Sequence, residues 1–262
     1  AATSSCPGVS ATFPITITAA PIASFNYAGT PYCINGTNPS PTFTGGGVAG
    51  TFTSTTGLSI NATTGVINLA ASTPGNYTVT NTIAAANGCL QVQSTAQVTI
   101  TALPVATFTY NSAIYCKSGA NPVITITGTA GVFTSTTGLA LNSATGAIDL
   151  AASTPGNYII TNTIAAAAGC SSVTATFAIT ITAPQVGSFS YTGSPYCKNG
   201  TNPSPTFASG GIAGTFTSTT GLSINATTGA INLATSTAGT YTVTNTIAAS
   251  GGCPVVVATA QV

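Results

Sequence analysis

The sequence predicts an all-β chain, a row of antiparallel β-sandwich repeats, and three observations carry that expectation. A 36-residue stretch occurs three times without a gap, at Gly50 to Ala85, Gly131 to Ala166 and Gly214 to Ala249. Inside each copy apolar and polar residues alternate with period two between turn residues, and no helical periodicity competes. The cysteines recur on the same lattice as the repeat. Each copy of a repeated sequence should be the same structural unit.

In the first copy, Ile22 to Tyr27 reads as strand A, followed by the turn-rich AGTPYCINGTNP. Pro41 to Thr44 reads as strand B, Thr51 to Ser54 as C, Leu58 to Ile60 as D and Val66 to Leu69 as E. Asn76 to Ala84 is a long strand F and Leu90 to Thr101 a long strand G. Alternation along F puts Tyr77, Val79 and Ile83 near one face and Thr78 and Thr80 on the other. Seven short strands with turn signals between them point to an antiparallel sandwich. STPGNY before strand F matches the corner in which a tyrosine at a strand start hydrogen-bonds back to a turn, an immunoglobulin-like hallmark. Tyr77, Tyr158 and Tyr241 occupy it.

Successive copies are offset by 81 and 83 residues. The joins, TALPVATF and TAPQVGSF, carry Pro104 or Pro184, and proline stiffens its own backbone and its neighbour's. A rod of three repeats follows: 21–103, 104–184 and 185–262, the last with its final strand truncated. Residues 1–20 read as the terminal strand of a preceding repeat. Residues 1–15 match 84–98 and 248–262 in register, which predicts a window cut from a longer periodic chain. The other reading is a subunit of this length whose first strand is donated to a neighbour.

Composition narrows function. The chain has two lysines, one aspartate and no histidine. Nucleic-acid binding needs several phosphate-neutralising cations, and only Lys117 and Lys198 are present. General acid–base catalysis needs groups that titrate near neutrality. Asp149 aligns with Asn68 and Asn232, so the repeat does not need a carboxylate there, and both lysines align with Ile34. Calcium sites want clustered carboxylates, and structural zinc sites want close Cys or His spacing. The sequence therefore predicts no enzyme, no cofactor and no metal. No apolar run reaches the length of a membrane span. Net charge near zero removes the usual protection against self-association, so copies of itself or adjoining repeats are expected partners.

The seven cysteines fall into two sets. Cys33, Cys116 and Cys197 follow a tyrosine; Cys89, Cys170 and Cys253 follow a glycine, with Cys6 one period earlier. Regular pairs in small repeats suit an oxidising, extracellular setting. One pairing closes each repeat, Cys33–Cys89, Cys116–Cys170 and Cys197–Cys253, across loops of 54 to 56 residues. The other staples neighbouring repeats, Cys33–Cys170 and Cys116–Cys253, leaving Cys6, Cys89 and Cys197 to pair outside the window. The A–B and F–G connections lie at opposite poles of a sandwich, about 20 Å apart for a typical strand. A bridge tolerates only about 7 Å between Cα atoms. That argument favours the staples while strand A ends where it is placed above; the local pairing stays open.

The motif string Tyr-Cys-x-x-Gly, Asn-Pro-x-Pro-Thr, Gly-x-Phe-Thr-Ser-Thr-Thr-Gly-Leu, Thr-Gly-x-Ile-x-Leu, Ser-Thr-Pro-Gly-x-Tyr and a closing Gly-Cys runs through the chain. It resembles the tandem immunoglobulin-like repeats of giant cell-surface adhesins and filaments of gliding and related Bacteroidota, commonly exported by the type IX system. The resemblance implies a surface location and an adhesive or fibrous role. Sequons at Asn35, Asn61, Asn76, Asn199 and Asn225 offer glycan attachment points, although a Thr-rich chain produces such matches by chance. Thr-Ile-Thr triplets at Thr16, Thr99, Thr125 and Thr180 fit flat ice-binding faces less well than ordinary strand alternation. Two readings follow: a structural segment of a filament or adhesin stalk, or a module that binds surface glycans through Thr, Asn and Tyr.

Overall fold

The computed structural model describes residues 7–262; Cys6 lies outside them. The described residues form tandem β-sandwich repeats with three separate hydrophobic cores. In the first repeat the strands are β1 (Phe25–Asn26), β2 (Tyr32–Cys33), β3 (Thr42–Phe43), β4 (Thr51–Ser54), β5 (Gly75–Ile83) and β6 (Val92–Thr101). One sheet has the order β2-β6-β5-β4 and the other pairs β1 with β3. The second repeat adds β7 (Phe108–Tyr110), β8 (Ile114–Cys116), β9 (Ile124–Ile126) and β10 (Val132–Ser135). It continues through β11 (Ala140–Leu141), β12 (Ile148–Asp149), β13 (Gly156–Ile164) and β14 (Val173–Thr182). The third holds β15 (Phe189–Ser190), β16 (Thr206–Phe207), β17 (Thr215–Ser218), β18 (Thr242–Ile247) and β19 (Val256–Gln261).

The alternation works as a burial code. Along β5, Tyr77 and Val79 are buried, and their partners across the sheet are Val98 and Ala96 of β6. The small sheet closes over them: the Phe25 ring meets Phe52 edge-on with centroids 5.4 Å apart. Phe108 and Phe133 repeat that contact at 5.3 Å, and Phe189 and Phe216 at 5.4 Å. Edge-to-face packing suits the ring quadrupole and adds to the area buried.

Several elements differ from the sequence expectation. Strand A shrinks to Phe25–Asn26 and strand B to Thr42–Phe43. Strands D and E survive as β11 and β12 only in the second repeat; elsewhere they reduce to the bridges Ile60↔Ile67 and Ile224↔Ile231. Strand E gives way at its end to a 3-10 turn at Leu69–Ala71, capped by the Asn68 side chain, which accepts from the Ala71 amide. The PYC segment, expected as turn, contains β2. It runs parallel to β6, with Tyr32 opposite Ile100 and Cys33 opposite Thr101, so each four-stranded sheet has one parallel pair. Residues 7–20 carry no strand.

The chain divides into two compact units. One runs up to Leu103 and includes Ala166–Ser171, the tip of the β13–β14 hairpin; the other comprises Pro104–Ala165 and Ser172–Val262.

Candidate functional site

The chemistry of this chain concentrates where a tyrosine-preceded cysteine meets a hairpin tip. Cys33 closes β2, and the next amide, Ile34, donates to the Thr101 carbonyl at 3.0 Å. That parallel pairing holds Cys33 at the end of the sheet, where Cys170 is bonded to it with Cα atoms 4.7 Å apart. Cys170 sits in a tight tip. The Ala167 and Cys170 backbones pair with each other, and Ala168 and Gly169 both have positive φ, 50° and 80°. Two successive positive φ values mark a type I′ turn, whose twist matches that of the strands it joins. The Thr101 hydroxyl donates to the Ala168 carbonyl at 2.7 Å. Approach is so close at Gly169 that an added Cβ would lie 2.1 Å from the Pro31 carbonyl oxygen.

The second compact unit repeats the arrangement. Cys116 and Cys253 are bonded with Cα atoms 4.6 Å apart. The Lys117 amide donates to Thr182 O at 2.9 Å, and the Thr182 hydroxyl donates to Gly251 O at 2.5 Å. Gln185 adds a side-chain hydrogen bond to Ser250 at 3.0 Å. The pairing within single repeats, Cys33–Cys89, Cys116–Cys170 and Cys197–Cys253, is not the one in the structure. Cys33 and Cys116 are bonded to later hairpin tips, and Cys89 and Cys197 hold free thiols. The physical reason is distance: the two cysteines of one repeat sit at opposite ends of the β5–β6 sheet, one at the end of β6 and one before its start.

The corner tyrosines share one geometry. Tyr77 OH donates to Thr73 O at 2.6 Å, Tyr158 to Thr154 O at 2.6 Å and Tyr241 to Thr237 O at 2.8 Å. These bonds lock the turn that launches the long strand. Asn35, Asn61, Asn76, Asn199 and Asn225 are all exposed. Asn61 and Asn225 spend their carbonyl oxygens on two backbone amides of their own turns, which leaves the amide nitrogens outward.

One group of residues was not singled out in the sequence. Asn81, Asn162 and Asn245 are fully buried within β5, β13 and β18. Asn81 accepts from Gly50 N at 2.8 Å and donates to Ala23 O at 3.0 Å and Val48 O at 2.9 Å. Asn162 and Asn245 make the same three bonds to their own repeats. One amide thus ties three chain segments together and leaves no donor wasted. The signal was present: alternation places these asparagines on the buried face, in phase, in all three copies.

Reactive chemistry is sparse. Asp149 caps its turn by accepting from Ala151 N at 3.0 Å and Ala152 N at 3.3 Å, the role Asn68 plays in the first repeat. Among the described residues no three His, Cys, Asp or Glu side chains gather as a metal site, and no helix is long and apolar enough to cross a membrane.

No family model matches this chain, and no curated protein matches it. Among solved structures, it is similar to mouse cadherin-23 EC22-24, at 12% identity over 92% of this chain and 94% of that one, with a TM-score of 0.33. Human CDH23 EC21-23 is 12% identical over 78% and 80% of the two chains, TM-score 0.38. Drosophila N-cadherin EC1-4 is 10% identical over 92% and 75%, TM-score 0.32.

Proposed function

We propose that this chain is a structural repeat segment of a long extracellular filament or adhesin stalk, in which the repeats form a stiff row and serve mechanical reach. The observation that carries this reading is the placement of both disulfides: each joins a cysteine of one repeat to the hairpin tip of the repeat that follows it in sequence. A bridge so placed stops neighbouring repeats from separating under load, where a bridge inside a repeat would only hold that repeat folded. The near absence of charge favours packing against like copies. Disulfides persist in oxidising settings, which supports a place outside the cell. The motif resemblance to Bacteroidota surface adhesins points the same way.

Single-molecule pulling tests the reading. The oxidised chain should give up the contour held within its 137-residue bridged spans only after reductant is added. Each freed residue should then contribute about 3.5 Å. Equal extension with and without reductant would contradict it. Electron micrographs should show long uniform fibres; monomers that bind a glycan array and form no fibres would favour the binding-module reading instead.

A further inference from the structure

The second repeat, which has the first before it and the third after it in sequence, carries a long strand that is fully bonded along one side only. β14 pairs with β13 over Val173–Ile181. On its other side β8 covers just Thr180, Ile181 and Thr182. In an antiparallel ladder alternate residues turn their N–H and C=O to opposite sides. The Thr180 amide donates to Ala113 O at 2.8 Å, and Thr182 O accepts from the Lys117 amide at 2.9 Å, so these residues face away from β13. Thr174, Thr176 and Ala178 share that direction, and among the described residues no group pairs with their N–H or C=O. Natural sheet edges are blunted by lysine, proline or a bulge. β14 reads VTATFAITIT, with no charge, no proline and an unbroken register.

The sheet face beside that edge has turned apolar in this repeat. Ile159 and Ala178 are cross-strand partners. The matching pairs are Thr78 with Gln97 in the first repeat and Thr242 with Gln261 in the third. There the glutamine amide donates to the threonine hydroxyl, at 2.9 and 3.0 Å. Ile114 stands where the other two repeats have Pro31 and Pro195. The three changes meet in space: Ile114, Ile159 and Ala178 line one hollow of about 420 Å³, with Ile114 49% and Ile159 54% exposed. A face left in water favours the polar pair; a face that becomes covered favours the apolar one.

We infer that β14 is a docking edge for a second copy of this chain, whose own β14 pairs with it antiparallel about a two-fold axis at Thr176. That register sets Thr176 opposite the second copy's Thr176, and Thr174 opposite its Ala178. Every free main-chain donor and acceptor of Thr174, Thr176 and Ala178 is then used on both copies. Charge complementarity selects the copy as the occupant. The edge offers only the alternating partial charges of N–H and C=O, and the identical strand run antiparallel supplies their complement with no like charges opposed. A basic or acidic peptide finds no counter-charge, since Lys117, Lys198 and Asp149 are the only Lys, Arg, Asp or Glu residues and none lies on β14. The outward row Ile159–Ala178 continues across the axis into the second copy's Thr174 and Thr163, which shields Ala178 and the rim of the hollow. The inference rests on the reading of the chain as a filament or stalk segment and names the edge at which such segments associate laterally.

Analytical ultracentrifugation of the intact oxidised chain should show a reversible dimer. Thr176→Lys, which opposes two cations at the axis, should raise its dissociation constant at least about tenfold. Ile159→Thr with Ala178→Gln should weaken it too, and those are the residues with which the other two repeats fold, so the loss is not one of folding. Thr95→Lys, at the matching position of β6, should leave the dimer intact. In a background of Cys6→Ser, Cys89→Ser and Cys197→Ser, Thr176→Cys should cross-link the copies on oxidation. Thr161→Cys, one strand further from the axis on each copy, should not, because a bridge tolerates only about 7 Å between Cα atoms. A chain that stays monomeric up to millimolar concentration would overturn the inference. So would association that ignores either set of changes on β13 and β14, equal weakening by Thr95→Lys, or cross-linking through position 161 instead. Single-molecule pulling reads one chain at a time, so failure here leaves the mechanical reading to its own test.

Discussion

Three buried asparagines show how much one side chain can hold. Replacing Asn81 by Ala strands the Gly50 amide and the Ala23 and Val48 carbonyls. Leaving such groups unpaired in a core costs about 2–4 kcal/mol in all. The urea midpoint of Asn81→Ala should fall accordingly, and a change below about 0.5 kcal/mol would show that water replaces the amide. The tyrosines make a different prediction. Burial pushes the Tyr110 phenol up to about 12, with Tyr115 nearby adding to the shift, and burial likewise pushes Tyr191 to about 12. Tyr27 is raised by the same cause. Each donates its hydroxyl to a glycine carbonyl, Gly146, Gly229 and Gly65 respectively. A folded-state pKa above the unfolded value near 10 means the neutral phenol stabilises the fold. That contribution is complete below about pH 10 and is lost as pH rises through the folded values. With one Asp and no Glu or His, little else titrates between pH 5 and 8. Thermal midpoints should be flat across that window and drop above pH 10; a decline on the acid side of neutrality would contradict this account.

At the scale of elements, the hairpin tips carry opposite demands on adjacent residues. The first tip has Asn87-Gly88 and the third Gly251-Gly252, residue types that accept positive φ readily; the second places Ala168 there at φ 50°. An L-residue with a Cβ is strained in that region by about 1 kcal/mol. Ala168→Gly should therefore stabilise the chain by up to about 1 kcal/mol in urea unfolding. Gly169→Ala should do the reverse, because its Cβ would strike the Pro31 carbonyl. Mass spectrometry of non-reduced peptides should then show less of the Cys33–Cys170 linkage. Strands also show why some elements were legible and others not. β4 was readable from TFTS alone, since its alternation is local and its partner β5 is long and unambiguous. β2 was not, because PYC reads as turn and becomes strand only when β6 lies beside it.

For the whole molecule, the two bridges each span 137 residues of chain. On the chain-entropy view, closing a loop of that length removes about 5 kcal/mol of freedom from the unfolded state, an upper figure since strain and residual structure reduce it. Cys33→Ser should lower the urea midpoint of the oxidised protein and leave the reduced protein unchanged. Equal loss in both states would mean that packing, not the bridge, was removed. A periodic β chain with repeat cores, turn residues at fixed offsets and almost nothing to titrate can be read from the residues alone. Those properties are written in short windows: period-two burial and turn chemistry need only neighbouring residues. Which cysteines meet, that PYC becomes a parallel edge, and which three segments each buried asparagine ties together were decided by the tertiary structure. Each depends on groups tens to more than a hundred residues apart arriving within a few ångströms, and no local pattern encodes that distance.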